Sequence, residues 1–183
     1  FGDGVATYVD GHDGEGSWVW AIMDGMSTIG HLLDEQYPYT DSPNGLPVEP
    51  FMEAAVQWRT AGWADVEMDP VDFDLQVTAF KAILSGKLTG DMGPQPISIG
   101  LPVFETSFFS GTTRETGFIV LPNPGEDFVG GHAMTVVGYV DKDDPEALFN
   151  SSYFIVRNSW STDWASENPL GLPGHALFPE EWF

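Results

Sequence analysis

The stretch that decides the fold runs from Gly130 to Trp160 and reads GGHAMTVVGYVDKDDPEALFNSSYFIVRNSW. It contains two apolar, β-rich runs, residues 132–139 and 153–157, separated by an acidic segment that includes Pro145. Runs rich in Val, Thr, Tyr and Ile on either side of turn-forming residues are typical of a β-hairpin. We therefore predict an antiparallel hairpin here.

The register of this hairpin places two polar side chains opposite each other. If the turn is centred near Pro145, paired residue numbers sum to about 290, which sets His132 opposite Asn158. Directly opposed side chains have Cβ atoms about 5 Å apart, so an amide oxygen can accept a hydrogen bond from an imidazole N–H. A histidine held by an asparagine is one half of a nucleophilic catalytic site.

The composition favours one domain with a substantial core. The chain has 183 residues, of which 42% are hydrophobic and 14% aromatic, enough to bury a sizeable interior. Helical patterns dominate the first half and strand patterns the second, which predicts an α+β fold with a small barrel or a strongly bent sheet. We assign residues 1–183 to a single domain.

The charge is strongly one-sided. Six basic residues stand against 28 acidic ones, a formal net charge of −22. Such a surface repels nucleic acid and anionic membranes, because both attract cationic side chains, and the sequence has no apolar run long enough to span a bilayer. We expect a soluble protein that binds neither. Solubility itself, a saline or marine source, or a cationic partner would each explain the acidity, and the localisation stays open.

The chain contains no cysteine, which excludes a disulfide framework and any thiolate metal site. The histidines other than His132 show no metal-ligand spacing. Acidic loops at residues 10–15 and 141–146 contain carboxylates, but they are more typical of solvated turns than of calcium loops. We therefore expect no metal and no cofactor.

One helix and two further strands are predicted between residues 72 and 121. The apolar spacing predicts a helix over residues 75–84, capped by Asp72 or Asp74. Strands are predicted over residues 96–105 and 117–121, with a polar, Gly-containing loop between them.

With these residues placed, the chain resembles the papain-like (C1) cysteine peptidases. Four blocks carry the resemblance in order: GSWVWAIMDGMSTIGHLLDEQYPYT; FKAILSGK followed by PISIGLPVFETSFF; TGFIVLPNPGEDFVGGHAMTVVGY; and FIVRNSWSTDWA followed by HALFPEEWF. Together they span most of residues 17–183. A lone Gly-His or Asn-Ser-Trp motif would be weak, whereas both on one hairpin, with Tyr-Pro-Tyr upstream, are specific.

The resemblance implies a papain-like fold made of a partial helical lobe and an antiparallel β-barrel lobe. The helical part would cover about residues 1–50 and the barrel lobe mainly residues 51–183. It also implies hydrolysis of peptide bonds in a protein or peptide substrate by Cys, His and Asn. His132 would be the general base and acid, and Asn158 would orient its ring.

The resemblance implies supporting and substrate-binding residues too. Trp160 would shield the contact between the histidine and the asparagine from water, whose competing hydrogen bonds weaken such a pair, and Gly131 would support the site. The strand-loop at Glu105, Thr106 and Ser107 is similar to the family's substrate-pocket wall, and Ala133 would line the same pocket.

The departures from the family pattern are equally informative. The family's nucleophilic Cys and oxyanion-hole Gln would lie upstream of Phe1, which is not an initiator methionine, so we expect a processed or truncated product that is incomplete at its N-terminus. After Asn-Ser-Trp, the two customary glycine places hold Ser161 and Ala165. A glycine there permits positive φ at little cost, whereas Ser and Ala do not.

Two hypotheses follow. In the first, this chain alone is inactive, and the Cys lies on a missing or separate N-terminal fragment, or on another subunit, that covers the face left by the absent helix. In the second, the chain is a catalytically inactive papain-like domain, a possible pseudoenzyme, that acts as a structural or binding component of a larger assembly.

Overall fold

The computed structural model describes most of the chain: residues 18–33, 35–36, 53–66, 72–145, 147 and 149–183. It divides into two compact units, Phe1–Glu67 and Met68–Phe183. The acidic loop at residues 10–15 and the Tyr-Pro-Tyr block lie outside the described residues. The single-domain assignment and its helical-lobe boundary near residue 50 stay predictions.

The first unit is helical where it is described. Helix α1 (Val19–Thr28) buries Ala21 and Gly25, and residues 53–58 form a short helical turn. The backbone N–H of Thr60 donates to the carbonyl of Met26 at 3.1 Å, which ties the two helical segments of this unit together.

The second unit is built on a four-stranded antiparallel sheet with strand order β1-β2-β3-β4. The strands are β1 (Ile97–Val103), β2 (Gly130–Val140), β3 (Tyr153–Arg157) and β4 (His175–Pro179). The predicted hairpin is present as β2 and β3, and the α+β class is confirmed. Residue 118 adds a single parallel bridge to Leu177.

The predicted hairpin register is wrong by about two residues. Thr135 pairs with Arg157, and beyond a bulge between Val136 and Gly138 the register moves by one more residue. Asn158 therefore lies past the last pair of β3, and within the sheet His132 pairs with Leu101 of β1. A bulge inserts an extra residue into one strand, and no hydrophobic pattern in this hairpin reveals it.

Helix α2 (Phe73–Leu84) confirms the predicted helix and its cap. The Asp72 side chain accepts a hydrogen bond from the Leu75 backbone N–H at 3.0 Å, satisfying one of the donors left free at a helix start. On the inner face of α2, Phe80 is 2% exposed and meets Phe154 edge to face with ring centroids 5.8 Å apart.

The predicted strand over residues 96–105 is present as β1, whereas residues 104–121 differ from the predicted polar loop and second strand. They contain two short helices, α3 (Glu105–Phe108) and α4 (Gly111–Thr116). Ser110 caps α4, since its Oγ accepts from the Thr113 N–H at 3.1 Å. This local hydrogen bond folds a polar sequence into a helical turn.

The core of the second unit contains a cluster of aromatic side chains packed against the sheet. Phe108, Phe154 and Phe178 are fully buried, and the Phe108 and Phe178 rings meet edge to face at 5.9 Å. Phe183 closes the cluster at 5.1 Å from Phe154. In the part of the chain that the structure describes, no helix is both long and apolar enough to cross a membrane.

Candidate active site

His132 and Asn158 meet at the end of the sheet where β2 begins and β3 ends. The His132 Nε2 atom lies 2.8 Å from Asn158 Oδ1. The same Oδ1 accepts a hydrogen bond from the Ser159 backbone N–H at 2.8 Å, which identifies the atom as the amide oxygen. Nε2 therefore carries the hydrogen, and Nδ1 of the neutral ring is left as the acceptor.

The contact forms despite the error in register because the side chains share a face. A shift of two residues along a strand preserves the face on which a side chain lies, whereas a shift of one reverses it. His132 alternates with the buried Met134 and Val136 on β2, and Asn158 follows the buried Val156. Diagonal neighbours on one face lie about 7–8 Å apart, within reach of an imidazole and an amide.

Trp160 packs against the imidazole. Its ring stacks on His132 with centroids 5.0 Å apart and planes 23° from parallel, and Trp164 meets it edge to face at 5.7 Å. Asn158 is 7% exposed. Low exposure limits the access of water to the amide oxygen. The shielding role of Trp160 stays a prediction.

The loop after Trp160 keeps a glycine-like backbone without glycine. Ser161 has φ +65° and Ala165 has φ +52°, values that cost a non-glycine residue about 1–2 kcal/mol. The Ala165 backbone N–H donates to the Arg114 carbonyl at 2.7 Å, and Gly174 N–H donates to the Trp164 carbonyl at 2.8 Å. These hydrogen bonds hold the strained loop in place.

The predicted substrate-pocket residues are spread over different environments. Glu105 and Thr106 are exposed on α3, Ala133 is exposed on β2, and Ser107 is fully buried. Gly131, predicted to support the site, is exposed beside the histidine and pairs with Pro102. The pocket and support roles of these residues stay predictions.

Glu126 fastens the loop that leads into β2. Its carboxylate accepts from the Thr106 hydroxyl at 2.6 Å, from the Thr106 N–H at 3.0 Å and from the Asn123 N–H at 2.9 Å. The hydrogen bonds from Thr106, followed by the one from Asn123, hold the pKa of Glu126 below its usual value, since they favour the ionised carboxylate.

An open cleft of about 380 Å³ lies beside the histidine and was not predicted from the sequence. It is lined by Phe109, Arg114, Trp160, Asp163 and Trp164. The spacing of the two tryptophans is visible in the sequence. Phe109 and Arg114 come from the end of α3 and from α4, a stretch that the sequence predicts to be a loop.

The described residues contain no group of three or more His, Cys, Asp or Glu side chains arranged to hold a metal ion. Of the acidic turn weighed as a calcium loop, Asp141 instead pairs with the ammonium group of Lys81 at 3.0 Å. The other acidic loop, at residues 10–15, lies outside the described part of the chain.

Comparison with known proteins identifies relatives of this arrangement. The model of the papain family of cysteine proteases matches residues 10–168. An uncharacterized peptidase C1-like protein, L477, of Acanthamoeba polyphaga mimivirus is 29% identical over 160 residues, which cover 83% of this chain and 45% of the viral protein.

Solved structures agree on the fold. Xylellain, a cysteine protease from Xylella fastidiosa, superposes with a TM-score of 0.70 at 21% identity, covering 97% of this chain and 61% of that one. The bromelain protease from Ananas comosus, solved in complex with the E64 inhibitor, gives a TM-score of 0.53 at 16% identity over 97% of this chain and 66% of that one. The predicted papain-like fold is confirmed. The chain spans less than half of the viral relative and less than two thirds of xylellain.

Proposed function

The chain belongs to the papain family of cysteine proteases, and we propose that it contributes the histidine and the asparagine to a peptidase site whose thiol comes from outside these 183 residues. The 2.8 Å contact between His132 Nε2 and Asn158 Oδ1 carries this proposal. It fixes the ring and its tautomer, so that Nδ1 is the nitrogen free to take a proton from a thiol.

The reaction would proceed in two halves. In the first, His132 Nδ1 takes the proton of the Cys thiol, the thiolate bonds to the carbonyl carbon of the peptide, and the imidazolium protonates the amine as the C–N bond breaks. In the second, His132 takes a proton from water, the hydroxide attacks the thioester, and the thiolate leaves. Donors for the oxyanion would come with the thiol-bearing segment.

The outer face of β1 and β2 is the surface on which we place the thiol-bearing segment. Gly100 and Pro102 on β1, and Gly131, Ala133 and Val137 on β2, are exposed on adjacent strands. Small side chains allow a helix to approach a sheet closely, and Val137 presents 43% of its surface. We propose that an N-terminal fragment or another protein subunit packs on this face and brings its Cys over the end of the sheet to His132, with a protein or peptide as the substrate.

Hydrolysis of a fluorogenic peptide by the natural, full-length protein tests the assignment. His132→Ala removes the proton shuttle and is expected to lower kcat/KM by about 10²- to 10⁴-fold. Asn158→Ala leaves the ring loosely oriented and gives a smaller loss. His175→Ala, at another half-buried histidine of the same sheet, is the matched control and retains activity. Unchanged rates in the first two variants would overturn the proposal.

A non-catalytic role is the second candidate. Two observations favour it: the chain has no cysteine, and Ser161 and Ala165 occupy strained positive-φ positions, as drift after loss of activity would allow. Alkylation of the full-length protein with iodoacetamide separates the candidates. Loss of hydrolysis together with one modified Cys supports the enzyme, whereas a protein with no reactive thiol and no hydrolysis supports a structural or binding component.

A further inference from the structure

We propose that the cleft beside His132 binds the leaving-group half of a peptide and that Arg114 selects substrates that present a carboxylate there. The inference rests on the proposed function for the identity of the site as a peptidase. The position, the charge and the rigidity of the cleft each contribute to it.

The cleft is continuous with the imidazole through aromatic contacts. Trp160 stacks on His132 at 5.0 Å, and Phe109 stacks on Trp160 at 5.8 Å with planes 15° from parallel. In peptide hydrolysis the imidazolium gives its proton to the departing amine. The amine half of the substrate therefore lies against His132, on the surface that these rings continue.

Arg114 lies at the far side of this surface. Its guanidinium carbon is 5.6 Å from the centroid of the Phe109 ring, a cation–π arrangement. Within the described residues, the ion pairs at 4.0 Å or less involve Lys81 alone, so Asp163, which lines the same cleft, does not neutralise Arg114. A guanidinium held against a ring by this contact still has N–H donors for bidentate binding of a carboxylate.

The guanidinium is within reach of a bound peptide. The three contacts from His132 through Trp160 and Phe109 to Arg114 measure 5.0, 5.8 and 5.6 Å. This path cannot exceed the length of about five extended residues. The carboxylate could belong to an Asp or Glu side chain or to the C-terminus of a short leaving group, and the two sources share the same chemistry.

Backbone hydrogen bonds join α4 to the loop after Trp160, and both segments line the cleft. The Ala165 N–H donates to the Arg114 carbonyl at 2.7 Å, and the Glu167 N–H donates to the Glu115 carbonyl at 2.8 Å. Helix α4 and the loop after Trp160 therefore move together. Such a preformed site loses little conformational freedom when a ligand binds.

Arg114 is a cationic position in a chain whose net charge is strongly negative. With a formal net charge of −22, the protein repels acidic peptides in general, and Arg114 is the basic residue among the five that line the cleft. Asp163, which lines the same cleft, opposes its effect. Removing the charge of Arg114 and removing the charge of Asp163 should therefore change the preference in opposite directions.

Hydrolysis of matched peptides by the full-length protein tests the preference. The substrates carry Glu or Gln at each of the first four positions after the cleaved bond, or end in a free acid or an amide. We expect kcat/KM to favour the carboxylate form by about threefold to tenfold at one position, and less at high salt. A preference for Glu over Gln at one position identifies a side-chain carboxylate as the ligand, whereas a preference for the free acid over the amide identifies the C-terminus.

The variants make the test specific. Arg114→Gln is expected to abolish the discrimination, Arg114→Lys to retain part of it, and Asp163→Asn to increase it. Lys87→Gln removes one exposed positive charge elsewhere and is the matched control with unchanged discrimination. Equal discrimination in Arg114→Gln and in the unaltered protein would overturn the inference.

Calorimetric binding of the leaving-group peptides provides a readout that needs no turnover. Acid-bearing peptides should bind the full-length protein more tightly than their amide or Gln counterparts, and Arg114→Gln should remove the difference. If no peptide is hydrolysed, the proposed function fails while binding still decides the present inference. Equal binding of both forms overturns the inference even if hydrolysis is observed.

Discussion

The two ends of the β2–β3 hairpin are built on different principles. At the clamped end, where β2 stops and β3 starts, Lys81 of α2 bridges Asp141 and Glu180 at 3.0 and 2.6 Å. At the site end, where β2 starts and β3 stops, His132 and Asn158 share one hydrogen bond beside a strained loop. The same two strands thus carry a region of satisfied charges and a region of unsatisfied groups.

The clamped end pairs its charged groups with one another and with Ser152. Ser152 Oγ donates to the Asp141 carboxylate at 3.2 Å and accepts from the Lys142 N–H at 3.0 Å. Partial burial lowers the pKa of Lys81, but hydrogen bonds and attraction to Glu180 and Asp141 outweigh it and raise that pKa above its usual value. The hydrogen bond from Lys81 lowers the pKa of Asp141. All of these interactions favour the folded state.

The site end leaves polar groups unsatisfied. Among the described residues, the buried Asn158 Nδ2 and Trp164 Nε1 atoms have no hydrogen-bond partner, and a buried donor left unpaired costs about 1–3 kcal/mol. Positive φ at Ser161 and Ala165 adds strain. Strain of this kind persists where the surrounding structure over-determines it, and it concentrates at functional sites. Backbone strain and these unpaired donors therefore lie at the site end of the hairpin.

The largest expected effect tests the shared core. Phe178 is fully buried and touches Phe108 and Trp182 edge to face. Phe178→Ala should lower the free energy of unfolding by about 3–5 kcal/mol, through lost burial and a cavity, measured by urea denaturation. A loss below about 1 kcal/mol would mean that the aromatic core does not support both ends of the hairpin.

A smaller effect is expected when the clamp is broken. Lys81→Met leaves two carboxylates facing each other without their cation and should reduce the free energy of unfolding by about 1–3 kcal/mol, an intermediate value because the side chain is 22% exposed. Lys87→Met is the control. Peptide hydrolysis at a temperature where the variant stays folded should not change. A selective loss of activity would show that the ion pairs at the clamped end influence the site end.

The Lys81 variant also carries a pH signature. The folded-state pKa of Lys81 is raised above 10.5, so its contribution is full below pH 10.5 and is lost as the pH rises through the raised value. The folded-state pKa of Asp141 is lowered below 3.8, so its contribution is full above that pH and is lost as the pH falls. The stability difference from the unaltered protein should therefore shrink at both extremes.

The smallest expected effect has the opposite sign and concerns the strained loop. Ser161 is exposed at φ +65°, so Ser161→Gly should raise the free energy of unfolding by about 0.5–1 kcal/mol. Ala165→Gly removes a fully buried methyl group, which offsets the relief of strain and leaves stability nearly unchanged. Thermal denaturation checks both variants, and destabilisation by Ser161→Gly would show that the loop is not strained.

Much of this architecture could be predicted from residue patterns. The hairpin and the capped helix α2 follow from periodicity and N-cap chemistry. The side-chain contact of His132 with Asn158 is present although the register that predicted it is off by two residues, because such a shift keeps the strand face. The register could not be predicted, since a bulge leaves the hydrophobic pattern intact. Helices α3 and α4 are not predicted: the Ser110 cap is a local signal inside a polar, Gly-containing stretch that also fits a loop, and the burial of Phe108 depends on tertiary packing.

The open cleft shows a second limit. Its walls come from segments far apart in sequence, so no local pattern brings Arg114 and Asp163 to one surface. The two positive-φ positions are different, because the family motif has glycines there and this sequence has Ser161 and Ala165. Family patterns thus reveal backbone constraints, whereas a surface made of distant segments requires the folded chain.

The bulge in β2 decides on which side of the sheet Tyr139 lies. If the register of the site end continued without interruption, Phe154 would face Gly138 rather than Tyr139. Tyr139 would then turn to the other side of the sheet, away from the ammonium group of Lys81, which now lies 5.4 Å from its ring. The bulge thus places Tyr139 on the face of the sheet where it meets α2, and the cation–π contact between Lys81 and Tyr139 depends on this local change of register.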